Sequence, residues 1–597
     1  TMAETQRENR RKVWLETAVV AGLLLLFLTL SITSMRQKNA TSDETMHIPA
    51  GYTYAALGDF RLNPEHPPLV KRLSGLMLLS QQPTVDLNDA AWQNRKQTTF
   101  GAKFLFEWNN ADQMVFWARL PMVLLAVGLG LGIFFWAREL YGWQAGYLAL
   151  ALYLFNPDIL AHSQLVTTDL AVSAFMFFSV YAFYKAMRRL TIWNALLFAV
   201  TVGLTLVTKF SGILILPILA LVGAVFVLSD KMVSQDFSKS RTVPRQLSTR
   251  REKLSAAMAL LAFSVAVSFA VIWLCYGFRY QISADPAISG ALDWQHYWNK
   301  SGASVAVLHA AYKLHLFPEA YTYGFLYALE SMEVRFAYLL GEYSSTGWWY
   351  YFLVTFFIKT PVPLLLLILL GFVFIKRYGG GYAQEAMLLL PVGFYWLTAI
   401  FNNINIGHRH LLPIYPFLIV FAAKMARAFQ PPESRRLAAV VACLLVWNIT
   451  TTTLVYPHFL AYFNEIAGGP ANGHRWLTDS NLDWGQDLKG LAAYQRQRPQ
   501  DSLYLSYFGT ASPEYYGIRA GYLLGYNRQV IQKLDAHEVI PYEQIPSGAL
   551  VAISVTNLSG VHLRHFDFPG TEEFLQRLRS MQPIDNIGHS ILIYRMP

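Results

Sequence analysis

This chain is poor in charge. Only 14% of its 597 residues are Asp, Glu, Lys or Arg, whereas a soluble domain carries roughly 25%. The shortage leaves too little polar surface to coat a water-soluble body. Cysteine is scarcer still. Cys275 and Cys443 are the only two; both sit in apolar stretches, where they serve as small core hydrophobes and cannot build a disulfide framework. Internal repeats, heptads and low-complexity runs are absent as well. The formal net charge of +10 does not point to nucleic acid, because the Lys and Arg residues cluster between apolar runs, as topology determinants do.

Hydrophobic residues, in contrast, make up 54% of the chain, and apolar runs of about 20 residues recur through its first three quarters, each long enough to cross a bilayer. The first, Val13 to Ile32, is too long for the h-region of a signal peptide and lacks a small-residue cleavage site, so it is read as a membrane helix. Spans are expected near 13–33, 114–136, 144–160, 169–187, 192–208, 210–228, 256–277, 350–374, 387–402, 411–428 and 437–455, about eleven in all. Counted this way, Arg7, Arg10, Arg11 and Lys12, then Arg188 and Arg189, the basic segment 229–255, Lys376 and Arg377, and Lys424, Arg427, Arg435 and Arg436 share one side. The positive-inside rule makes that side cytoplasmic, with the N-terminus in and the C-terminus out. Three large segments then face outward: 34–113, 278–349 and 456–597. The last changes character, with strands expected at Ser502–Phe508, Leu550–Val555 and Ser590–Tyr594 and helices at 484–497 and 572–580, so a small α/β domain follows the transmembrane domain of residues 1–455.

Past the first span the chain reads Asp43-Glu44-Thr45-Met46-His47, then Asn63-Pro64-Glu65-His66-Pro67-Pro68-Leu69. The prolines suit the first turn of a helix, whose Leu69, Leu73, Leu76 and Met77 recur at helical spacing and predict an interfacial helix, apolar face down. Taken singly, carboxylates like these solvate a loop; two adjacent ones at a membrane exit, ahead of an ordered Pro-rich turn, weaken that reading.

An Asp-Glu pair after the first span followed by a His-Pro-Pro-Leu helix start resembles the protein O-mannosyltransferase-like family of polyprenyl-phosphate-dependent glycosyltransferases, of the family 39 type, to which the bacterial aminoarabinose transferases are related. Further motifs occur in the family's order: Arg119-Leu120-Pro121, Asn156-Pro157 with His162-Ser163 and Thr167-Thr168-Asp169, Thr208-Lys209-Phe210-Ser211-Gly212, Gly341-Glu342 with Gly347-Trp348-Trp349, Lys359-Thr360-Pro361, and Gly407-His408-Arg409-His410. The resemblance covers residues 13 to 455. It implies a GT-C fold, an α-helical polytopic membrane enzyme, and transfer of a sugar, mannose or a related hexose, from a polyprenyl-phosphate carrier to an acceptor hydroxyl on a protein, glycan or lipid. Cysteine-free outer segments fit a bacterial inner membrane with the site on its periplasmic face.

Inverting transfer needs a base for the acceptor hydroxyl and cations for the departing phosphate. The resemblance gives Asp43 the role of base, with Glu44 supporting it and Asp169 in the second acidic motif. Arg119 and Lys209 are expected to hold the phosphate: both are charges near the outer ends of apolar helices, where a functional partner is the default and snorkelling to headgroups the plain alternative. Arg409 and Lys359 are weaker candidates of the same kind. His66 stands where the aminoarabinose transferases carry a phosphate-binding Lys. Those relatives imply a divalent metal (Mg²⁺, Mn²⁺ or Zn²⁺) near Glu65 and Asp169, whereas the mannosyltransferase branch implies none, so no cofactor is certain. In the tail, Asp479, Asp483 and Asp487 are read as the N-cap and first-turn carboxylates of a helix, with acceptor positioning as the alternative. The rival classes are a transporter or lipid flippase, which would more often show repeated halves, and a non-catalytic relative that binds lipid-linked sugars.

Overall fold

A computed structural model describes residues 2–229, 231–235, 245–331, 336–401, 404–431, 433, 435–525 and 539–597, with side chains from Val13 onward; Lys239 and Arg241 of the basic segment lie outside the described residues. The order of the main helices is α1 (Met2–Arg36), α2 (Glu44–Ala56), α3 (Leu69–Leu79), α4 (Ala111–Tyr141), α5 (Trp143–Leu154), α6 (Pro157–Ser163), α7 (Thr168–Arg188) and α8 (Ile192–Leu206). After these come α9 (Ile215–Leu228), α10 (Arg250–Cys275), α11 (Tyr351–Lys359), α12 (Val362–Val373), α13 (Tyr382–Ile400), α14 (Tyr415–Ala422) and α15 (Arg435–Leu454).

Among the described residues, eight helices are long and apolar enough to cross a membrane, or nine if α11 and α12 form one span. The eleven expected spans therefore differ at three places, each with a local cause. The run 144–160 breaks after Leu154: Pro157 opens α6, and Asn156 caps it by accepting the amide of Ile159 at 3.1 Å. The run 350–374 bends by 107° between α11 and α12, where Pro361 cannot continue the first helix. The run 192–208 ends at Leu206, giving a helix of 15 residues, short for a perpendicular crossing.

The segment between α1 and α4 is built on close backbone contact. Helices α2 and α3 pair as a hairpin, and a Cβ added at Gly75 would lie 1.9 Å from the carbonyl oxygen of Gly51, while one at Gly51 would lie 2.1 Å from that of Lys71. Two glycines thus let the helices touch through their main chains. Helix α3 buries Val70, Lys71, Ser74, Gly75 and Leu78, while Leu76 and Leu79 stay exposed. That exposed apolar edge suits the interfacial placement expected for this helix.

The tail from 456 contains strands β1 (Leu503–Ser506), β2 (Gly521–Tyr522), β3 (Leu550–Ser554), β4 (Asp585–Ile587) and β5 (Ile591–Arg595), arranged β2-β1-β3-β5-β4. β1 runs parallel to β3, and β5 is antiparallel to β3 and β4. Helices Leu488–Arg496 and Thr571–Ser580 accompany the sheet. Among the contacts that sew the tail onto the helical body, two groups flank the site described below. The buried ammonium of Lys359, at the end of α11, donates to the carbonyls of Leu460, Tyr462 and Asn481 at 2.7–2.9 Å. On the other side, Asn39 donates through its amide N–H to Gln486 and through its side chain to Gly485, and Ser42 donates its N–H to Trp484.

Gly75→Ala is expected to destabilise the protein by about 1–3 kcal/mol or more, because the obstructing atom is a main-chain oxygen that cannot rotate away. The thermal midpoint of detergent-purified protein checks this, with Gly22→Ala, which meets nothing within 4 Å, as the comparison.

Candidate functional site

The adjacent carboxylates Asp43 and Glu44 are divided by the start of α2. Glu44 is fully buried and accepts two hydrogen bonds from Arg119 (2.6 and 2.8 Å), two from Thr41 and one from the amide of Val166. Burial alone would raise its pKa; the charge and hydrogen bonds of Arg119, with the Thr41 and Val166 amides, outweigh burial and leave it below the ordinary range. Arg119 spends its remaining donors on the carbonyls of Met35, Lys38 and Asn39. Every guanidinium nitrogen is committed within the protein, and the side chain is 1% exposed. Arg119 is thus tied into the fold through its whole guanidinium, with Glu44 as its charged partner.

Asp43 turns the other way. It occupies the N-cap position of α2 but does not cap it; its carboxylate accepts from Arg409 at 2.9 Å and remains the most exposed of the group at 23%. Asp169, in the first turn of α7, lies 2.6 Å from Lys209 and 3.6 Å from Arg409. Lys209 immediately precedes the 3₁₀ turn Phe210–Leu214 that leads into α9, and Arg409 lies in the 3₁₀ turn His408–Ile414 before α14. Four charged residues from four helix entries therefore alternate as Asp43–Arg409–Asp169–Lys209. Three of them were candidates of first rank; Arg409, a weaker one, stands at the centre.

His66, Glu65 and Lys71 organise the turn beside this chain of charges. Lys71 is fully buried and donates to Asn63, Tyr54 and the carbonyl of His66 at 2.6–3.1 Å. Its burial pushes the ammonium down to about 7. His66 packs edge-on to His47 at 5.6 Å between ring centres and is held well below the usual imidazole range by burial, with the charge of Lys209 adding to it. It is thus a neutral ring next to Lys209. The carboxylate of Glu65 accepts from Asn63 and Gln97 at 2.8 and 2.7 Å. The expected metal pair does not fit: Asp169 already carries two cations and Glu65 two amide donors. Among the described residues no three His, Cys, Asp or Glu side chains converge as a metal site.

Trp484 enters from the tail segment that carries Asp479, Asp483 and Asp487. The guanidinium of Arg409 lies 4.1 Å from its ring centre, and His162 meets it edge-on at 6.2 Å. The tail carboxylates also depart from expectation. The helix begins at Leu488; Asp487, just before it, makes no capping bond and instead lies 2.5 Å from Lys38. Asp483 is buried, accepts the amides of Gly485 and Thr556, and is pushed up to about 8 by burial. Asp479 opens a separate 3₁₀ turn and lies 3.3 Å from His562. Lys359, a weaker phosphate candidate, is the stitch that holds the tail, with Asp158 at 3.4 Å.

A family model described as dolichyl-phosphate-mannose-protein mannosyltransferase matches residues 111–273, the stretch that carries Arg119, Asp169 and Lys209. The likeness to polyprenyl-phosphate-dependent glycosyltransferases read from the motifs is supported by that match. No curated protein is significantly similar to the chain. Among solved structures, ArnT from Cupriavidus metallidurans in the apo state is similar over 97% of this chain and 97% of its own, at 13% identity and a TM-score of 0.44. The S. cerevisiae protein O-mannosyltransferase Pmt1-Pmt2 complex is similar over 74% of this chain and 90% of its own, at 10% identity and a TM-score of 0.47. An oligosaccharyltransferase from Archaeoglobus fulgidus is similar over 84% of this chain and 63% of its own, at 12% identity and a TM-score of 0.47.

Removing one partner of a buried ion pair leaves the other uncompensated, so Arg119→Ala is expected to cost about 3–5 kcal/mol of stability. A lowered thermal midpoint and yield, of the same size in Glu44→Ala, checks this. A second expectation concerns acid. Burial holds His47, His66, His458 and His589 below the ordinary imidazole range, His458 at about 4. Unfolded chain takes up these protons as pH falls through about 6.5, whereas folded chain resists until lower pH. The stability linked to neutral rings is complete above that pH and is lost progressively below it. The midpoint is expected to fall from pH 7 to 5, less steeply in His458→Gln.

Proposed function

We propose that this chain is an inverting glycosyltransferase of GT-C architecture that moves a sugar, a hexose in preference, from a polyprenyl-phosphate carrier to an acceptor hydroxyl at the outer membrane face. The observation that carries this reading is the convergence of Asp43, Arg409, Asp169 and Lys209 at the entries of four helices. Such a group offers what transfer requires, a base beside cations, at the boundary where a lipid phosphate sits.

In this reading Asp43 takes the acceptor proton as the acceptor oxygen attacks the anomeric carbon. The bond from that carbon to the phosphate oxygen breaks, and the departing phosphate gains a negative charge that Lys209 and Arg409 stabilise. Asp169 holds the two cations apart and aimed, a positioning task suited to a carboxylate buried between them. His66, neutral beside Lys209, offers a ring nitrogen to the phosphate without adding charge. The motif order, the family match over residues 111–273 and the alternating charges support the same assignment. Arg409, expected as a weaker candidate, is assigned to the phosphate beside Lys209, while Arg119 pairs with Glu44.

The test is release or transfer of radiolabelled sugar from a panel of polyprenyl-phosphate sugars by detergent-purified protein. Asp43→Asn is expected to lower turnover roughly 10²–10⁴-fold. Lys209→Ala and Arg409→Ala are expected to weaken turnover and donor binding together, and EDTA to leave the rate unchanged. Well-folded protein that neither turns over nor binds any carrier lipid would sink the proposal in favour of a transporter. Binding without turnover, unaltered in Asp43→Asn, would indicate a non-catalytic relative.

A further inference from the structure

The tail segment 479–488 lies between the two loops that carry Asp43 and Arg409. On the Asp43 side it is laid against residues 38–42 like an added strand. The carbonyls of Trp484 and Gln486 accept the amides of Ser42 and Asn39 at 3.0 and 3.2 Å, and Leu488 donates its amide to the side chain of Asn39 at 2.8 Å. On the Arg409 side, the side-chain oxygen of Asn481 accepts the amide of His408 at 2.8 Å, and Ser480 donates to the carbonyl of Ile406 at 3.0 Å. Gly485 makes the turn between these anchors with φ of 79°, and a Cβ there would lie 2.7 Å from Gly509. Trp484, 2% exposed, is the one side chain of this segment whose ring lies on Arg409.

A guanidinium is a five-donor fork that must choose among acceptors. Arg409 has Asp43 and Asp169 within reach and its Nε without a hydrogen-bond partner. One hydrogen bond to Asp43 and a longer ion pair to Asp169, both through Nη1, leave the plane of the fork free to tilt. A flat aromatic face stacked on the guanidinium removes that freedom, and in a desolvated site the attraction is substantial. We infer that Trp484 is a positioning residue of the transfer site: it acts through Arg409, fixing the guanidinium where it can hold Asp43 and receive the carrier phosphate, so that the outer tail completes the site. This inference rests on the proposed role of Arg409 in gripping that phosphate.

Trp484→Leu keeps an apolar side chain but removes the π face; Trp484→Phe keeps a face. Two readouts apply: kcat/KM for the donor sugar, and affinity for undecaprenyl phosphate by native mass spectrometry. The leucine variant is expected to lose roughly tenfold in each and the phenylalanine variant less than about threefold. In an Arg409→Lys background the same leucine substitution adds little, because the partner it acts through is already changed. Trp484→Met gives a second variant without a π face should Trp484→Leu accumulate poorly. Leucine and phenylalanine variants that match each other in kcat/KM and in lipid affinity, or a leucine effect of equal size in both backgrounds, would overturn the inference. Failure of the functional reading shows separately, as an active Asp43→Asn or as Lys209→Ala with unaltered lipid affinity.

Discussion

The buried pair of Glu44 and Arg119 is the contact on which the arrangement of the site depends. A charged carboxylate in this position would be prohibitive without a partner, and Glu44 has five donors from three parts of the chain: the exit of α1, α4 and the loop before α7. Those bonds fix the first residue of α2 and with it the direction of the residue before. Asp43 cannot follow its neighbour inward, because the helix start sends successive side chains to different sides. One carboxylate is consumed in placing the other. The glycine contact between α2 and α3 then keeps the whole hairpin from sliding, since main chain rests on main chain.

A second tier of buried charge does comparable work further from the site. Lys359 holds three carbonyls of the tail, Lys71 holds the Asn63–His66 turn, and Lys424 pairs with Glu385 at 2.5 Å near the far ends of α13 and α14. The first two replace, inside an apolar body, the solvent that a loop would otherwise use to satisfy its main chain, and the third neutralises a buried carboxylate.

How much of this could be read from the chain itself differs from residue to residue. Asp43, Asp169 and Lys209 were legible because each sits at the edge of an apolar run, where a charge is conspicuous and a helix entry fixes its depth. Arg119 was equally conspicuous, yet sequence reports only that a charge is present, not which partner uses it; pairing with Glu44 needed the fold of the loop between α1 and α2. Lys71 gave no signal at all, since a lysine in an amphipathic helix ordinarily faces water. The break at Thr360-Pro361 was marked by its proline and the break at Asn156-Pro157 likewise, but hydropathy averaged over a long window runs through both. Of the tail, three of the five strands and the helix Thr571–Ser580 followed from local pattern, while the short strands Gly521–Tyr522 and Asp585–Ile587 did not. The three aspartates between 479 and 487 did not, because their partners, Lys38, Thr556 and His562, lie 73 or more residues away in the chain.

The interleaving of residues 38–42 with residues 484–488 also has a bearing on the order in which this protein is made. Asp43 emerges early, with the first span, while Trp484 and Asn481 are synthesised only after α15. Until those later residues arrive, the loop of Asp43 lacks the strand that it lies against and Arg409 lacks its aromatic cover. A nascent chain can thus be threaded through the bilayer, span by span, carrying its acidic and basic groups apart. The loop of Asp43 and the turn of Arg409 therefore gain these contacts only after residues 481–488 have followed them out.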